Sequence, residues 1–252
     1  MSSPTQPQSP DGNGDVVLVT GSSSGIGAEI ARHFADAGYR VAINSANSVD
    51  AGEKVASDLP NAIYFKADIS DDTEAKDLIT RVVAEFGRLD VLVNNAGVTR
   101  QIPHDDLASA SPNVWREIFD VNVFGTWQLS VAAVEHLRRS PHGQIINISS
   151  IAGSRPAGSS IPYAVSKAAV EHLTRLLAAT LGPEIRVNAV APGLIDTEFT
   201  TALTGPREQV RSIAPLRRIG IPTDVARAVL GLAHSHYSTG TVLLVDGGVH
   251  LR

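Results

Sequence analysis

The sequence contains no cysteine among its 252 residues. This absence excludes disulfide bonds, thiolate catalysis and sulfur-ligated zinc sites, so hydroxyl, carboxylate, imidazole and amine groups remain for any chemistry. The eight histidines are scattered, and none form a pair with the helical spacing that presents two imidazoles to one metal. We therefore predict no catalytic metal, and we interpret the nearest pair, His234 and His236, as a solvated helix end.

Long apolar runs and an excess of positive charge are also missing. No stretch of about 18 uninterrupted apolar residues occurs, and the N-terminus lacks the basic start and apolar run of a secretory signal. The chain carries 26 acidic and 21 basic residues, which is not the charge balance of a nucleic-acid-binding protein. We expect a cytoplasmic protein whose partner is a small molecule, with no nucleic acid and no membrane as partner.

The N-terminal stretch differs in composition from the rest of the chain. Residues 1–14 lack the apolar side chains that would offset the entropy of ordering them, so they are predicted to form a disordered tail. From residue 15 onward, glycine and proline are spread without a linker-like concentration. With 43% hydrophobic residues, the chain can bury one core, and we predict a single domain over residues 15–252.

Short apolar runs alternate with amphipathic stretches from Asp15 onward. This alternation is typical of strand-helix-strand units and a parallel sheet. The predicted strands are Val16–Thr20, Arg40–Ser45, Ala62–Ala67, Val91–Asn95, Gln144–Ser149, Ile185–Ala191 and Thr241–Asp246. Helical patterns include Thr73–Phe86 and Val114–Leu137. We predict a three-layer, doubly wound α/β fold of the Rossmann type with a mainly parallel seven-stranded sheet.

One long segment breaks this alternation. Residues 192–222 are rich in Thr, Pro and Gly, and a connection of this length in a compact domain is usually functional. We interpret it as a substrate-covering segment with short helices of its own. Its arginines, Arg207, Arg211, Arg217 and Arg218, could meet an anionic substrate, although the solvated interpretation is favoured.

A glycine-rich turn follows the first predicted strand. The run from Thr20 to Gly27 reads TGSSSGIG and leads into an amphipathic helix, so the turn coincides with a helix N-terminus. Such a turn lets the backbone approach a pyrophosphate, whose charge the helix dipole and free N–H groups stabilise. Alone, the motif is also compatible with a tight strand-to-helix connection. Its position after a strand favours a dinucleotide.

The motifs together resemble those of a known family. The turn has the spacing Gly-x-x-x-Gly-x-Gly; Asn94-Asn95-Ala96-Gly97 ends the fourth strand, and Tyr163-Ala-Val-Ser-Lys167 follows. From Asp15 to Gly248 the chain resembles the single-domain short-chain dehydrogenases/reductases, including the ketoreductases that act on 3-oxoacyl groups of acyl carrier protein. Asp246-Gly247-Gly248 matches the closing motif of that family.

The resemblance implies an NAD(P)(H)-dependent oxidoreductase of the EC 1.1.1 type. Such an enzyme transfers a hydride between nicotinamide and a ketone or secondary alcohol, as a carbonyl reductase or alcohol dehydrogenase, with 3-oxoacyl thioesters among the candidate substrates. It also implies a homotetramer or homodimer. Two other functions stay open: a cofactor-binding regulatory protein without turnover, and a non-redox epimerase or dehydratase on the same fold.

The resemblance carries four catalytic positions onto this chain, namely Asn122, Ser150, Tyr163 and Lys167. Reduction of a ketone needs an acid for the developing alkoxide, and a free tyrosine has a pKa of about 10. Lys167, four residues further on a helix opened by Pro162, would lower that pKa. Ser150 lies 13 positions before Tyr163 and would hold the carbonyl oxygen; Ser149 is the competing candidate. Asn122 would support a water relay to the lysine.

Each of these residues also has a structural explanation. Tyr163 and Lys167 could share a solvated helix face, Asn122 could be a buried amide that satisfies local backbone, and Ser150 could cap a loop. The coincidence of all four positions favours the catalytic interpretation.

The cofactor contacts implied by the resemblance come from six parts of the chain. They are Gly21, Ser23, Ser24, Gly25, Ile26, Gly27, Ser45, Asp68, Ile69, Asn95, Ala96, Gly97, Tyr163, Lys167, Pro192, Gly193, Ile195 and Thr197. For Asp68 the competing interpretation is a helix cap. Asn94 is expected only to bind neighbouring backbone.

The end of the second strand bears on the choice of cofactor. An acid there would bind the adenosine ribose and repel a 2′-phosphate, but this chain has Ser45, followed by Ala46 and Asn47. NADP(H) is therefore favoured and NAD(H) is the second option, although the usual arginine is absent. For docking an acidic carrier protein, Arg138 and Arg139 could serve at one helix end, whereas Glu184 at the other carries the wrong charge.

Overall fold

The fold is built on one parallel sheet. The computed structural model describes residues 14–200 and 204–252, so the predicted tail lies outside the described residues except for Gly14. The strands run in the order β3-β2-β1-β4-β5-β6-β7, and each neighbouring pair is parallel. They are β1 (Val16–Val19), β2 (Arg40–Ser45), β3 (Ala62–Lys66), β4 (Val91–Asn94), β5 (Gln144–Ile148), β6 (Arg186–Pro192) and β7 (Val242–Val245). The seven predicted strands are confirmed to within one residue at each end.

Helices cover both faces of the sheet. They are α1 (Gly25–Asp36), α2 (Val49–Ser57), α3 (Asp72–Phe86), α4 (Pro112–Phe119), α5 (Thr126–Leu137), α6 (Ile161–Leu181), α7 (Thr204–Ile213) and α8 (Pro222–Ala233). The single helix predicted over Val114–Leu137 is divided by a π-helical turn, Asp120–Gly125. The extra residue in that turn widens the helix and changes which backbone carbonyls find partners.

Side chains of each central strand alternate between two cores. Val16 and Leu18 of β1 point into the core beneath α3, α5 and α6, while Val17 and Val19 point into the core beneath α1 and α8. All four are fully buried. Burial on both faces explains why these strands appear in the sequence as unbroken apolar runs.

The strand order reverses direction beside β1. The chain moves outward from β1 through β2 to β3, then returns so that β4 lies on the other side of β1. The helices that follow β1 and β4 therefore leave the sheet on opposite faces, and a crevice opens at the carboxyl ends of these two strands.

The segment after β6 contains the short helices that were predicted. A 3₁₀ turn, Glu198–Thr200, precedes α7. Two arginines of the segment are not simply solvated: Arg207 pairs with Asp196, and Arg218 pairs with Asp224 at 2.6 Å. The covering role of the segment stays a prediction.

The two histidines predicted to form a solvated helix end differ from each other. His236 is exposed, but His234 is partly buried, and its ring stacks on Tyr39 at 6.4 Å between centroids. The solvated interpretation is therefore wrong for His234, because the loop after α8 folds back against the end of α1.

The described residues contain neither a membrane-spanning helix nor a cluster of metal ligands. None of their helices combines the length and apolar character needed to cross a membrane. In the same part of the chain, no group of three or more His, Asp or Glu side chains is arranged to hold a metal ion.

Candidate active site

A cleft of about 470 Å³ opens at the carboxyl ends of the strands, which is within the size range of small-molecule sites. Most of the residues predicted to contact a cofactor line it. These are Gly21, Ser24, Gly25, Ile26, Gly27, Ser45, Asp68, Ile69, Asn95, Ala96, Gly97, Tyr163, Lys167, Pro192, Gly193, Ile195 and Thr197. Ser150 also lines the cleft, whereas Ser23 and Asn122 do not.

The glycine-rich turn forms one wall of the cleft. Gly21 has φ of +61°, and a Cβ at this residue would lie 2.8 Å from Cα of Ala96. A Cβ at Gly27 would lie 2.3 Å from the carbonyl oxygen of Gly21. Only glycine allows these two close approaches, which bring the turn against the end of β4.

Asn95 fixes the turn from the β4 side. Its Nδ2 donates to the carbonyl oxygens of Thr20, at 2.8 Å, and Gly21, at 3.0 Å. Ser24, the N-cap residue of α1, makes no side-chain capping bond. The amide groups in the first turn of α1 are thus left for an anion, so this wall fits the pyrophosphate of a dinucleotide.

The end of the cleft predicted to hold adenosine is formed by the ends of β2 and β3. The hydroxyl of Ser45 donates to the carbonyl oxygen of Ser48 at 3.1 Å and lies 3.0 Å from the Tyr64 hydroxyl. The Asp68 carboxylate accepts from the backbone and hydroxyl of Ser70 at 2.9 and 2.7 Å. The capping residue of α3 is Asp71 instead, so the helix-cap interpretation of Asp68 is wrong.

Three polar side chains meet at the floor of the cleft. The N-cap Ser160 accepts from the backbone of Tyr163, and Pro162 lies in the first turn of α6, so Tyr163 and Lys167 project from one helix face. The Lys167 Nζ is 5.7 Å from the centre of the Tyr163 ring. The hydroxyl of Ser150 lies beside the Tyr163 phenol and acts to lower its pKa; it also accepts from the Ala152 amide at 3.2 Å, so Ser150 caps the 3₁₀ turn as well.

Ser149 is directed elsewhere. It is buried, and its hydroxyl donates to Oε1 of Glu171 at 3.1 Å and to the carbonyl oxygen of Lys167 at 3.2 Å. Both acceptors belong to α6. Of the two neighbouring serines, only Ser150 thus presents its hydroxyl to the phenol.

Burial changes the pKa of both Tyr163 and Lys167. It raises the pKa of Tyr163 to about 12, against the opposing effect of the neighbouring Ser150 hydroxyl. It lowers the pKa of Lys167 to about 8. The net change in the Tyr163 pKa is therefore upward and not downward as expected, because the desolvation of the phenol outweighs the effects that favour the phenolate. At neutral pH the phenol is therefore protonated and able to donate.

Asn122 lies in the π-helical turn, behind the cleft wall. Its Nδ2 donates to Ser166 Oγ at 3.0 Å and to the Val98 carbonyl oxygen at 3.1 Å, and its Oδ1 accepts from the Val98 amide at 2.8 Å. A Cβ at Gly97 would lie 3.2 Å from this Oδ1 and 3.5 Å from Lys167 Nζ. Asn122 thus holds the backbone of the loop after β4 in place, beside the ammonium group of Lys167.

The main chain of Asn122 has a partner of its own. Its carbonyl oxygen accepts a hydrogen bond of 2.9 Å from the hydroxyl of Thr126. A side-chain hydroxyl therefore satisfies an acceptor within the π-helical turn.

Asn94 belongs to a different buried network. Its Nδ2 donates to Asn147 Oδ1 at 2.9 Å and lies 3.2 Å from Ser130 Oγ. The expectation that it binds only neighbouring backbone is wrong, since its partners are side chains of β5 and α5. The neighbouring Asn95, in contrast, binds backbone, at Thr20 and Gly21.

The opposite wall follows β6. Ile195 is buried, and its carbonyl oxygen accepts from the Thr200 hydroxyl at 2.5 Å. A Cβ at Gly193 would lie 2.8 Å from Cβ of Asp246. The closing motif thus packs directly against the segment predicted to hold the carboxamide.

Several lining residues escaped prediction. They include Ala67, Val98, Val121, Ile148, Glu198 and Thr200. Most are direct neighbours of predicted residues or motifs in the chain, which is the signal that could have found them. Thr200 could not be found in this way, because it lies three residues beyond Thr197, the nearest predicted contact.

Comparison with known proteins places this geometry in context. The family model described as Enoyl-(Acyl carrier protein) reductase matches residues 21–250. A protein of Streptomyces violaceoruber, named as ketoacyl reductase 2 of the granaticin polyketide synthase, is 61% identical over 239 residues, covering 94% of this chain and 96% of its own length.

Solved structures share the whole fold. A Brucella melitensis 3-ketoacyl-(acyl-carrier-protein) reductase, complexed with NADH, is 31% identical with a TM-score of 0.88, covering 94% of this chain and 98% of the other. A short chain dehydrogenase from Burkholderia cenocepacia J2315, in complex with NADP, is 35% identical with a TM-score of 0.88, covering 95% and 99%.

Proposed function

The chain belongs to the short-chain dehydrogenase/reductase family, and from this premise we propose that it reduces the 3-oxo group of an acyl thioester with NADPH. It is an NAD(P)(H)-dependent oxidoreductase that acts on a carbonyl or alcohol group of a small molecule. The observation that supports reduction most directly is that Ser150, Tyr163 and Lys167 line the same cleft, with the Ser150 hydroxyl beside the Tyr163 phenol and Lys167 one turn along α6.

In the proposed mechanism Tyr163 is the acid. Its phenol is protonated at neutral pH because burial raises its pKa to about 12, so it can donate a proton to the oxygen of the substrate carbonyl. Ser150 donates a hydrogen bond to the same oxygen and stabilises its developing charge. The bound cofactor supplies the hydride. Proton donation leaves a phenolate, and in alcohol oxidation the same two side chains act in the reverse direction.

Lys167 and Asn122 would support that proton transfer. A charged ammonium near the phenol stabilises the phenolate that forms when the proton leaves, and this charge is present below a pH of about 8. Asn122 holds the Val98 backbone beside this ammonium, and it would support a water-mediated path by which Tyr163 regains its proton.

NADP(H) is the favoured cofactor. The end of β2 and the start of α2 line the cleft with Ser45, Ala46, Asn47 and Ser48, and none of these carries a negative charge that would repel a 2′-phosphate. The Burkholderia cenocepacia relative was solved with NADP and the Brucella melitensis relative with NADH. Use of NADH at lower efficiency is therefore part of the proposal.

The 3-oxoacyl substrate is inferred from the relatives. The Streptomyces violaceoruber and Brucella melitensis proteins are both named for ketoacyl reduction. The first belongs to a polyketide synthase by name, which points to a substrate longer than a simple ketone. A cytoplasmic location stays a prediction of the sequence.

We also infer a homotetramer. Large apolar side chains on two neighbouring elements are unusually exposed: Phe124 and Trp127, at 51% and 46%, and Val165 and Leu176 of α6, at 42% and 54%. Exposed apolar groups of this size are typical of an interface. Sedimentation velocity would test it, because a monomer at micromolar concentration contradicts the assembly.

The enzyme assignment is tested by following absorbance of NADPH and, separately, NADH with acetoacetyl thioesters and a panel of ketones. Tyr163→Phe removes only the hydroxyl, and kcat should fall by roughly 10² to 10⁴, while cofactor affinity stays within about two-fold. A variant as fast as the wild type would remove Tyr163 from the mechanism. A wild type that binds nucleotide and turns over nothing would favour a regulatory protein. Formation of product without net oxidation of the cofactor would favour an epimerase or dehydratase.

A further inference from the structure

A buried carboxylate lies on α6 one turn beyond Lys167. Glu171 is only 4% exposed, although an ionised carboxylate is costly in a protein interior unless it is paired. The proposed mechanism gives it no task. Its position on α6, facing the end of the strand β5 that leads to Ser150, suggests one.

Ser149 connects this carboxylate to the chain before Ser150. The Ser149 hydroxyl donates to Glu171 Oε1 at 3.1 Å. On the outer side, the guanidinium of Arg175 lies 3.7 Å from Glu171 Oε2, but Arg175 is half exposed. Burial raises the pKa of Glu171, and the Ser149 bond and Arg175 charge oppose this effect. The buried contact is thus the one with Ser149.

Gly153 brings the carboxylate against the chain after Ser150. The 3₁₀ turn Ile151–Gly153 packs on α6 so closely that a Cβ at Gly153 would lie 2.8 Å from Glu171 Oε1 and 2.9 Å from the carbonyl carbon of Lys167. The same carboxylate oxygen therefore accepts from the Ser149 side chain before Ser150 and lies close to the Gly153 turn after it.

We propose that Glu171 is a positioning residue that holds the Ser150 hydroxyl at the Tyr163 phenol by fixing Ser149 on one side and the Gly153 turn on the other. This inference rests on the proposed function, in which Ser150 and Tyr163 act on the same oxygen. A shift of about 1 Å in such a pair can cost roughly 10² in rate, so contacts one residue before Ser150 and three residues after it control the chemistry without touching substrate.

Three variants separate this role from general packing. Glu171→Met keeps the length of the side chain but removes the acceptor, and it should lower kcat at least ten-fold while KM for NADPH stays within two-fold. Glu171→Gln retains an oxygen that can accept from Ser149, and it should keep at least half of kcat. Arg175→Met removes only the outer ion pair and serves as the matched control, with kcat within two-fold of wild type.

The connection through Ser149 gives an independent check. Ser149→Ala should lower kcat as Glu171→Met does, and the double variant should be no slower than the slower single variant, because both remove one contact. Full kcat in either single variant overturns the inference. A Glu171→Gln variant as slow as Glu171→Met also overturns it, because the negative charge and not the hydrogen bond accepted from Ser149 would then matter. A loss that appears in KM for NADPH as strongly as in kcat overturns it as well.

Crystal structures of the wild type and Glu171→Met distinguish this inference from the proposed function, because they need no turnover. The turn Ile151–Gly153 should move relative to α6 and separate Ser150 Oγ from the Tyr163 hydroxyl; an unmoved pair overturns the inference. Should Glu171→Met fail to fold, the structure of Ser149→Ala decides in the same way. An inactive wild type overturns the proposed function alone.

Discussion

The ammonium group of Lys167 donates a hydrogen bond of 2.8 Å to the carbonyl oxygen of Ile148, the last residue of β5. This bond joins α6, which carries Tyr163, to the strand that leads to Ser150. It also places a cation in a site where only 5% of the residue is exposed. The bond positions the site, and the burial destabilises the fold.

Replacement of Lys167 by Met should therefore change stability in a pH-dependent way. Below pH 8 lysine is charged in both states, and the folded protein carries the full cost of burying it. Between pH 8 and 10.5 the folded lysine is neutral while the unfolded one still binds a proton, so wild-type stability rises with pH. Across this pH range, the difference between the free energies of unfolding of the wild type and of Lys167→Met should shift by about 3 kcal/mol in favour of the wild type.

Urea unfolding of both proteins from pH 7 to 10.5 measures this change, and the difference between them cancels the titration of other groups. A difference that does not vary with pH would mean that Lys167 keeps an ordinary pKa in the fold.

Removal of the Ser150 hydroxyl should slow the reaction with little effect on folding. Ser150→Ala should reduce kcat by roughly 10² to 10³, because one donor to the reacting oxygen is lost. Ser154→Ala is the matched control, since Ser154 is exposed at the end of the same turn. Steady-state kinetics with saturating NADPH measure both; equal rates in the two variants would assign Ser150 to turn capping alone.

Two glycines should respond in opposite directions to alanine. At Gly27 a Cβ would lie 2.3 Å from the Gly21 carbonyl oxygen and 2.5 Å from Asn95 Nδ2, so Gly27→Ala should weaken NADPH binding and destabilise the fold by roughly 1–3 kcal/mol. At Gly231, within α8, a Cβ meets nothing within 4 Å, and Gly231→Ala should stabilise by roughly 0.5–1 kcal/mol.

Thermal unfolding with and without NADPH measures both variants. If Gly27→Ala binds NADPH as tightly as the wild type, the glycine-rich turn is no close neighbour of the pyrophosphate.

A negative charge beside the ribose should reverse the cofactor preference. Ala46 lines the cleft next to the end of β2, and Ala46→Asp should lower kcat/KM for NADPH at least ten-fold, about 1.4 kcal/mol, while NADH is affected far less. Ala51→Asp adds the same charge on α2 at a residue that does not line the cleft. Initial rates with both cofactors measure this preference. An equal loss of kcat/KM for NADPH in the two variants would mean that the added net charge, and not its position beside the ribose, causes the effect.

The strands were predictable because a strand that is buried on both faces appears in the sequence as an unbroken apolar run. Val16 to Val19 are all fully buried, so no alternation obscures the run. The positions of Tyr163, Lys167 and Ser150 were equally predictable from the sequence. One helix and the end of one strand place them, and their spacing matches a family pattern. Their proposed roles await the kinetics above.

Other features depend on partners that are distant in sequence. The π-helical turn at Asp120–Gly125 inserts one residue into a helical pattern, and hydrophobic periodicity is too coarse to reveal it. Asn94 finds its partners 36 and 53 residues away. The pKa of Lys167 follows from how deeply α6 is buried, which spacing to Tyr163 does not indicate.

The distribution of the cleft along the chain has a consequence for biosynthesis. Its walls begin at Gly21 and end at Thr200, and β6, which carries the last wall, pairs with β5 and β7 only after long crossovers. A nascent chain emerging from the ribosome therefore cannot complete the nucleotide pocket until about four fifths of it has been synthesised. Cofactor can act as a ligand that stabilises the finished protein, but not as a template for its early folding.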